Sequence, residues 1–129
     1  MDMIEKILIV DDSPVARKML KNSIPKNKGY EIFEAVDGKD GIKKYQILKP
    51  EIVFMDLTMP GIDGYTALEK IRKFDGKAMV IVMTADVQPK SISNVMALGA
   101  FTLLKKPAKA QVIEEALEKA EQALRENNE

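Results

Sequence analysis

The chain has 129 residues, about one domain's length, and balances 20 basic against 20 acidic side chains, which points to neither nucleic acid nor an anionic membrane as partner. It has no cysteine and no histidine, which excludes disulfides, zinc–thiolate sites, thiol catalysis, histidine triads and a role as phosphohistidine donor. The opening MDMIEK is too polar for a signal peptide and no apolar run approaches the ~18 residues of a membrane span, so a cytoplasmic protein is expected.

Lys6 to Val10 is a short apolar run rich in β-branched residues, the pattern of a buried strand. Ser13-Pro14 supplies an N-cap and a proline at the first helical position, Ala16, Met19 and Leu20 follow at helical spacing, and the helix should fade around Pro25. EIFEA (31–35) is a second strand, followed by DGKDG and a helix carrying Ile42, Tyr45 and Leu48. Ile52 to Met55 is the third and most apolar strand. MPGIDG (59–64) is loop chemistry, and Ala67, Leu68 and Ile71 mark the next helix. Ala78 to Met83 is the fourth strand, and a helix with Ile92, Val95 and Met96 leads to Gly99. FTLLK (101–105) is the fifth strand. Val112, Ile113, Ala116, Leu117, Ala120, Ala123 and Leu124 form one apolar stripe on the last helix, and residues 126–129 are expected to fray. Five strands alternating with five helices imply right-handed crossovers and a doubly wound parallel sheet, as one α/β domain over residues 1–129.

Functional groups of open parallel sheets gather beyond the carboxyl ends of the strands. Here those ends carry Asp11-Asp12, Asp56, Thr84 and Lys106. Each has an ordinary explanation. An acidic pair is usually a solvated turn or a helix cap, and Asp12 would suit the first helix in that role. Asp56 ends an apolar strand and is harder to dismiss; Thr84 is a plausible β-former and Lys106 a plausible exposed strand-end lysine. All four ordinary explanations would have to hold at successive ends of one sheet, which chance rarely supplies.

The joint pattern has a chemical reason. Three carboxylates at close range repel until a hard cation joins them, and Mg2+ favours carboxylates, water and phosphate oxygens. One carboxylate, already ionised at neutral pH, can then attack phosphorus without a general base and form an aspartyl phosphate. A lysine supplies a compact charge for phosphate oxygen and a threonine hydroxyl the remaining hydrogen bond.

VDDSPVARKML, FMDLTMPGIDG, VMTAD and LLKKP, in this order and spacing, resemble the receiver domain of two-component response regulators, over essentially the whole chain. The closest likeness is to a stand-alone, CheY-like regulator. The resemblance implies the flavodoxin-like strand order 2-1-3-4-5. It also implies roles: Asp56 as phosphoacceptor, Asp12 and (through water) Asp11 on Mg2+ together with the Thr58 carbonyl, Thr84 as switch hydroxyl, Lys106 on phosphate, and a cis peptide before Pro107. Implied partners are a sensor histidine kinase and a downstream protein target, or else a histidine phosphotransfer protein in a phosphorelay. Neither nucleic acid nor membrane is implied. A monomer is expected, with phosphorylation-linked dimerisation as the alternative, and no turnover catalysis.

Leu103 stands where such receivers usually carry Tyr or Phe, and Phe101 lies on the same strand face by alternation. Thr58 and Asp86 occupy the positions that tune phosphoryl loss. A haloacid-dehalogenase-type phosphatase would need a second acid at Thr58, and a flavodoxin-type binder would not place Asp11-Asp12 in its phosphate loop. A chemotaxis-type regulator would bind its target through the fourth helix, fifth strand and fifth helix.

Overall fold

A computed structural model describes residues 4–59 and 61–127. Strand and helix alternate throughout: β1 (Lys6–Val10), α1 (Pro14–Ser23), β2 (Glu31–Ala35), α2 (Gly38–Leu48), β3 (Ile52–Asp56), α3 (Gly64–Phe74), β4 (Met79–Thr84), α4 (Pro89–Ala97), β5 (Thr102–Lys105) and α5 (Ala110–Asn127). All pairings are parallel, in the expected order β2-β1-β3-β4-β5.

The apolar strands alternate between two cores. Leu8, Val10, Val53, Met55, Val80 and Val82 face Tyr45 of α2, Leu68 and Ile71 of α3, and Val95 of α4. Ile7, Ile9, Ile52, Phe54, Ile81 and Met83 face α5 through Ile113, Leu117 and Ala120, and Ile24 just beyond α1. Every residue of β3 and β4 is buried, which explains why their sequences are near-continuous apolar runs. Each fully buried aliphatic side chain contributes roughly 1.5–3 kcal/mol, so the platform of the site is anchored chiefly by β3, β4 and the four buried residues Ile7 to Val10 of β1.

Several boundaries move. β3 and β4 run one residue further than the apolar pattern, because Asp56 and Thr84 still pair with the sheet. α2 begins at Gly38 with Asp37 as its cap, so the helix starts inside DGKDG and not after it. Its glycines serve close packing: a Cβ on Gly41 would come within 2.8 Å of Val10 Cγ1. A short 3-10 turn over Lys26–Lys28, unmarked in the sequence, carries the chain towards β2. Phe101 precedes β5, so alternation does not apply to it. It packs on the α1–α5 side, whereas Leu103 packs on the other. Val112 leaves the expected stripe of α5 and is exposed. Residues 126 and 127, expected in the tail, belong to α5, while 128–129 and Pro60 of MPGIDG lie outside the described residues.

Candidate functional site

The strand register brings the functional positions to one edge of the sheet. Val10 pairs with Met55 and Asp56 with Met83, so Asp11, Asp12, Asp56 and Thr84 leave three adjacent strands at nearly one level. β5 closes the row: Thr84 pairs with Lys105, and the Lys106 N–H donates to the Thr84 carbonyl at 2.8 Å.

The side chains converge. One carboxylate oxygen from each of Asp11, Asp12 and Asp56 lies within 4.8 Å of the others. Lys106 Nζ donates to Asp11 Oδ2 at 2.8 Å and to Asp56 Oδ1 at 3.2 Å. The other Asp11 oxygen accepts the Ser13 N–H at 2.9 Å, and the Ser13 hydroxyl in turn caps α1 by accepting the Ala16 N–H at 3.1 Å. The cap is therefore Ser13, and Asp12 is left exposed beside the cluster. Thr84 is buried, and its hydroxyl oxygen accepts the Asp86 N–H at 3.0 Å, so its own O–H remains to be donated. Thr58 is exposed and bears on Asp56 through its backbone N–H.

One ammonium does not settle three acids. Burial first, and Asp11 second, push the Asp56 carboxyl above its ordinary value, against the pull of Lys106 and the Thr58 N–H. Burial works to lower Lys106, but its bonds to Asp11 and Asp56 outweigh that and hold it above its ordinary value. The donor set is all oxygen, converging and still short of positive charge, which fits a hard divalent cation. The Lys106–Pro107 peptide is cis, as the resemblance implied.

Two residues that the motifs do not reveal also shape the site. A Cβ on Gly64 would fall against the Asp56 carbonyl oxygen and 2.5 Å from Leu57 Cα, so α3 starts hard against the end of β3. Arg17 Nη1 donates to the Asp11 backbone carbonyl at 2.7 Å. The first had a signal in the glycine of MPGIDG, although its meaning as a close approach did not. The second had none.

The profile of the response regulator receiver domain matches residues 7–118, and the chain belongs to that family. It is 40% identical over 116 residues to the chemotaxis protein CheY of Thermotoga maritima, covering 89% of this chain and 96% of that one. It is 38% identical to the chemotaxis protein CheY of Bacillus subtilis, covering 91% of this chain and 98% of that one. Among solved structures, CheY in a CheX–CheY–BeF3–Mg2+ complex from Borrelia burgdorferi superposes with a TM-score of 0.84 at 31% identity, over 91% of this chain and 89% of that one. The chain is thus a CheY-like receiver domain, and its acidic cluster suits a phosphoacceptor role in two-component signalling.

Proposed function

We propose that Asp56 is the phosphoacceptor, that Lys106 and Thr84 hold the phosphoryl oxygens, and that Asp11, Asp12, Asp56 and the Thr58 carbonyl hold Mg2+. The observation that carries this reading is the single constellation in which Lys106 Nζ bridges Asp11 and Asp56 beside Asp12. Bound Mg2+ would supply the positive charge that offsets the phosphoryl oxygens and the three carboxylates. An Asp56 carboxylate oxygen attacks phosphorus, the bond from phosphorus to the donor nitrogen breaks, and the departing imidazole keeps its electron pair. Lys106 follows the charge from the carboxylate to the new phosphoryl oxygens, and the Thr84 O–H donates to another.

The donor fits a sensor histidine kinase. A cleft of about 490 Å³, lined by Ala16, Met19, Leu20, Pro107 and Ala108, reaches Asp11 and Lys106 at the side of the acidic cluster. The output fits a chemotaxis-type target on the α4–β5–α5 face, where Val87, Ile92, Met96 and Val112 are exposed. The relatives named as chemotaxis proteins favour target binding over service as a phosphorelay intermediate. The protein then acts in the cytoplasm, as a monomer and without turnover catalysis. No described helix is long and apolar enough to cross a membrane.

Asp56→Asn tests the assignment, since it keeps the shape and removes the nucleophile. Labelling by an acyl phosphate with Mg2+ should vanish in the variant, and chelation should abolish it in the parent. Substantial Mg2+-dependent labelling of the variant would overturn the assignment.

A further inference from the structure

The Asp11 side chain is fixed by Ser13 and Lys106, but the exposed Asp12 takes its direction from the backbone of the turn. The peptide plane that carries the Asp11 carbonyl also carries the Asp12 N–Cα bond. Whatever holds that carbonyl therefore fixes the N–Cα bond from which the Asp12 side chain departs. The holder is Arg17, one turn into α1, whose Nη1 donates to the carbonyl at 2.7 Å. Its Nε donates to Glu34 Oε1 at 2.8 Å, and only 13% of the Arg17 side chain is exposed.

Glu34 is itself anchored. It lies on β2, which pairs with β1 through Ile9 opposite Glu34, and its backbone carbonyl accepts Lys44 Nζ of α2 at 2.7 Å. Lys44 Nζ also pairs with Asp40 at 3.1 Å, and Asp40 accepts the Val36 N–H at 3.1 Å. Lys21 Nζ stands 3.9 Å from the second Glu34 oxygen. A polar chain thus runs from the acidic turn through Arg17 and Glu34 to the first turn of α2. The planar guanidinium suits this place because its fixed fork reaches a carbonyl and a carboxylate at once, which a lysine ammonium does with less directional control.

We propose that Arg17, braced by Glu34, is a positioning residue for the divalent cation: it holds the 11–12 peptide so that Asp12 faces the site shared with Asp11 and Asp56. This rests on the metal-site reading above. Arg17 bonds to the Asp11 carbonyl and to Glu34, and to none of the three clustered carboxylates. Its loss should therefore weaken Mg2+ binding and leave the chemistry of the filled site largely intact. Residues that orient metal ligands from behind typically change affinity by about tenfold or more.

The test is calorimetric titration of Mg2+ into parent, Arg17→Lys and Glu34→Gln proteins. It is paired with acyl-phosphate labelling rates at increasing Mg2+ and with urea unfolding in chelator. Arg17→Lys should raise the Mg2+ dissociation constant about tenfold, with Glu34→Gln shifting it in the same direction by less. The labelling rate at saturating Mg2+ should stay near the parent's. A folded Arg17→Lys protein that binds Mg2+ as tightly as the parent overturns the proposal, even if it is less stable to urea. So does a loss of saturated rate at unchanged Mg2+ affinity. Should Arg17→Lys not fold, Glu34→Gln decides alone, and an unchanged Mg2+ affinity there counts against the proposal. Failure of the parent itself to bind Mg2+ would instead overturn the metal-site reading beneath it.

Discussion

Lys106 is the cation that both Asp11 and Asp56 touch, yet the Asp56 carboxyl remains raised above its ordinary value by burial and by Asp11. A raised value means that ionising Asp56 opposes folding. The stability is present below the unfolded-state value of about 3.8 and is lost as pH rises through the higher folded-state value. At neutral pH without metal, Asp56→Asn should accordingly raise the urea midpoint. If the carboxylate cluster holds Mg2+ as proposed, added Mg2+ should stabilise the parent more than the variant, because the ion would bind the folded state alone. Removing Lys106 has the opposite sign. Its side chain is 27% exposed, which moderates the loss, and Lys106→Ala should cost about 1–3 kcal/mol in chelator, with much of it restored by Mg2+. Labelling of Lys106→Ala should slow but persist, because the proposed nucleophile Asp56 and the proposed metal ligands are left in place. The amide shifts that beryllofluoride induces beyond the site should be lost; an intact long-range response would show that Lys106 is no part of the switch.

Between elements, polar contacts on the α2–α3 side fix what the apolar core leaves loose. Tyr45 of α2 is buried, donates its hydroxyl to Asp75 Oδ2 at 2.8 Å and meets the Phe74 ring edge-on at 6.3 Å. Burial first, and the bond to Asp75 second, raise the Tyr45 phenol well above its ordinary value of 10.0. The folded protein therefore keeps this proton where the unfolded chain has lost it, so stability is full below about pH 10 and falls as pH rises beyond it. Tyr45→Phe should cost about 1–3 kcal/mol at neutral pH and flatten the alkaline decline. A residual slope should remain from Tyr30, raised by burial and by Glu121, Glu114 and Glu118 of α5. Urea unfolding between pH 7 and 11 would show a parallel curve for the variant if the hydroxyl were irrelevant. Tyr45 also shows where sequence legibility stops. Its place on an apolar stripe was visible from spacing, whereas its partner lies 30 residues away and belongs to no pattern. The strand runs and their two faces were legible because burial on both sides of a parallel sheet demands unbroken apolar residues. The four strand-end groups were legible for the related reason that a charge or hydroxyl ends each run. Arg17 and Glu34 were not, since an exposed-looking arginine and an edge-strand glutamate become a pair only once α1 lies against β2. The start of α2 inside DGKDG was not legible, because glycine serves loops and close approaches alike and only the contacts of Gly41 with Val10 decide between them.

Across the whole molecule, the sheet is a buried platform and the site's side chains stand where the loops leave its carboxyl edge. Thr84 connects the two. Its carbonyl is held by the Lys106 N–H at 2.8 Å, while its hydroxyl oxygen holds the Asp86 N–H at 3.0 Å. Asp86 reaches onward, accepting the Gln88 N–H at 3.2 Å and the Ser91 hydroxyl at 3.5 Å at the start of α4. A Thr84 side chain that rotates to bring its O–H to a phosphoryl oxygen would carry its acceptor oxygen away from the Asp86 N–H, and would loosen the contacts Asp86 makes at the first turn of α4. Leu103, opposite Val82 and half-buried, carries no polar tip to exchange between solvent and protein. The switch should therefore rest mainly on Thr84 and the segment after it, with Leu103 filling the space that Thr84 leaves and coupling β5 less strongly than an aromatic ring would. Amide chemical shifts of the free and beryllofluoride-bound protein with Mg2+ test this. Large changes should cover residues 84–92 and reach the strand around Leu103, and Thr84→Ala should confine them to the neighbours of Asp56. If the parent's changes were already confined there, no conformational signal would leave the site, and the chain would fit a phosphate shuttle better than a regulator of target binding.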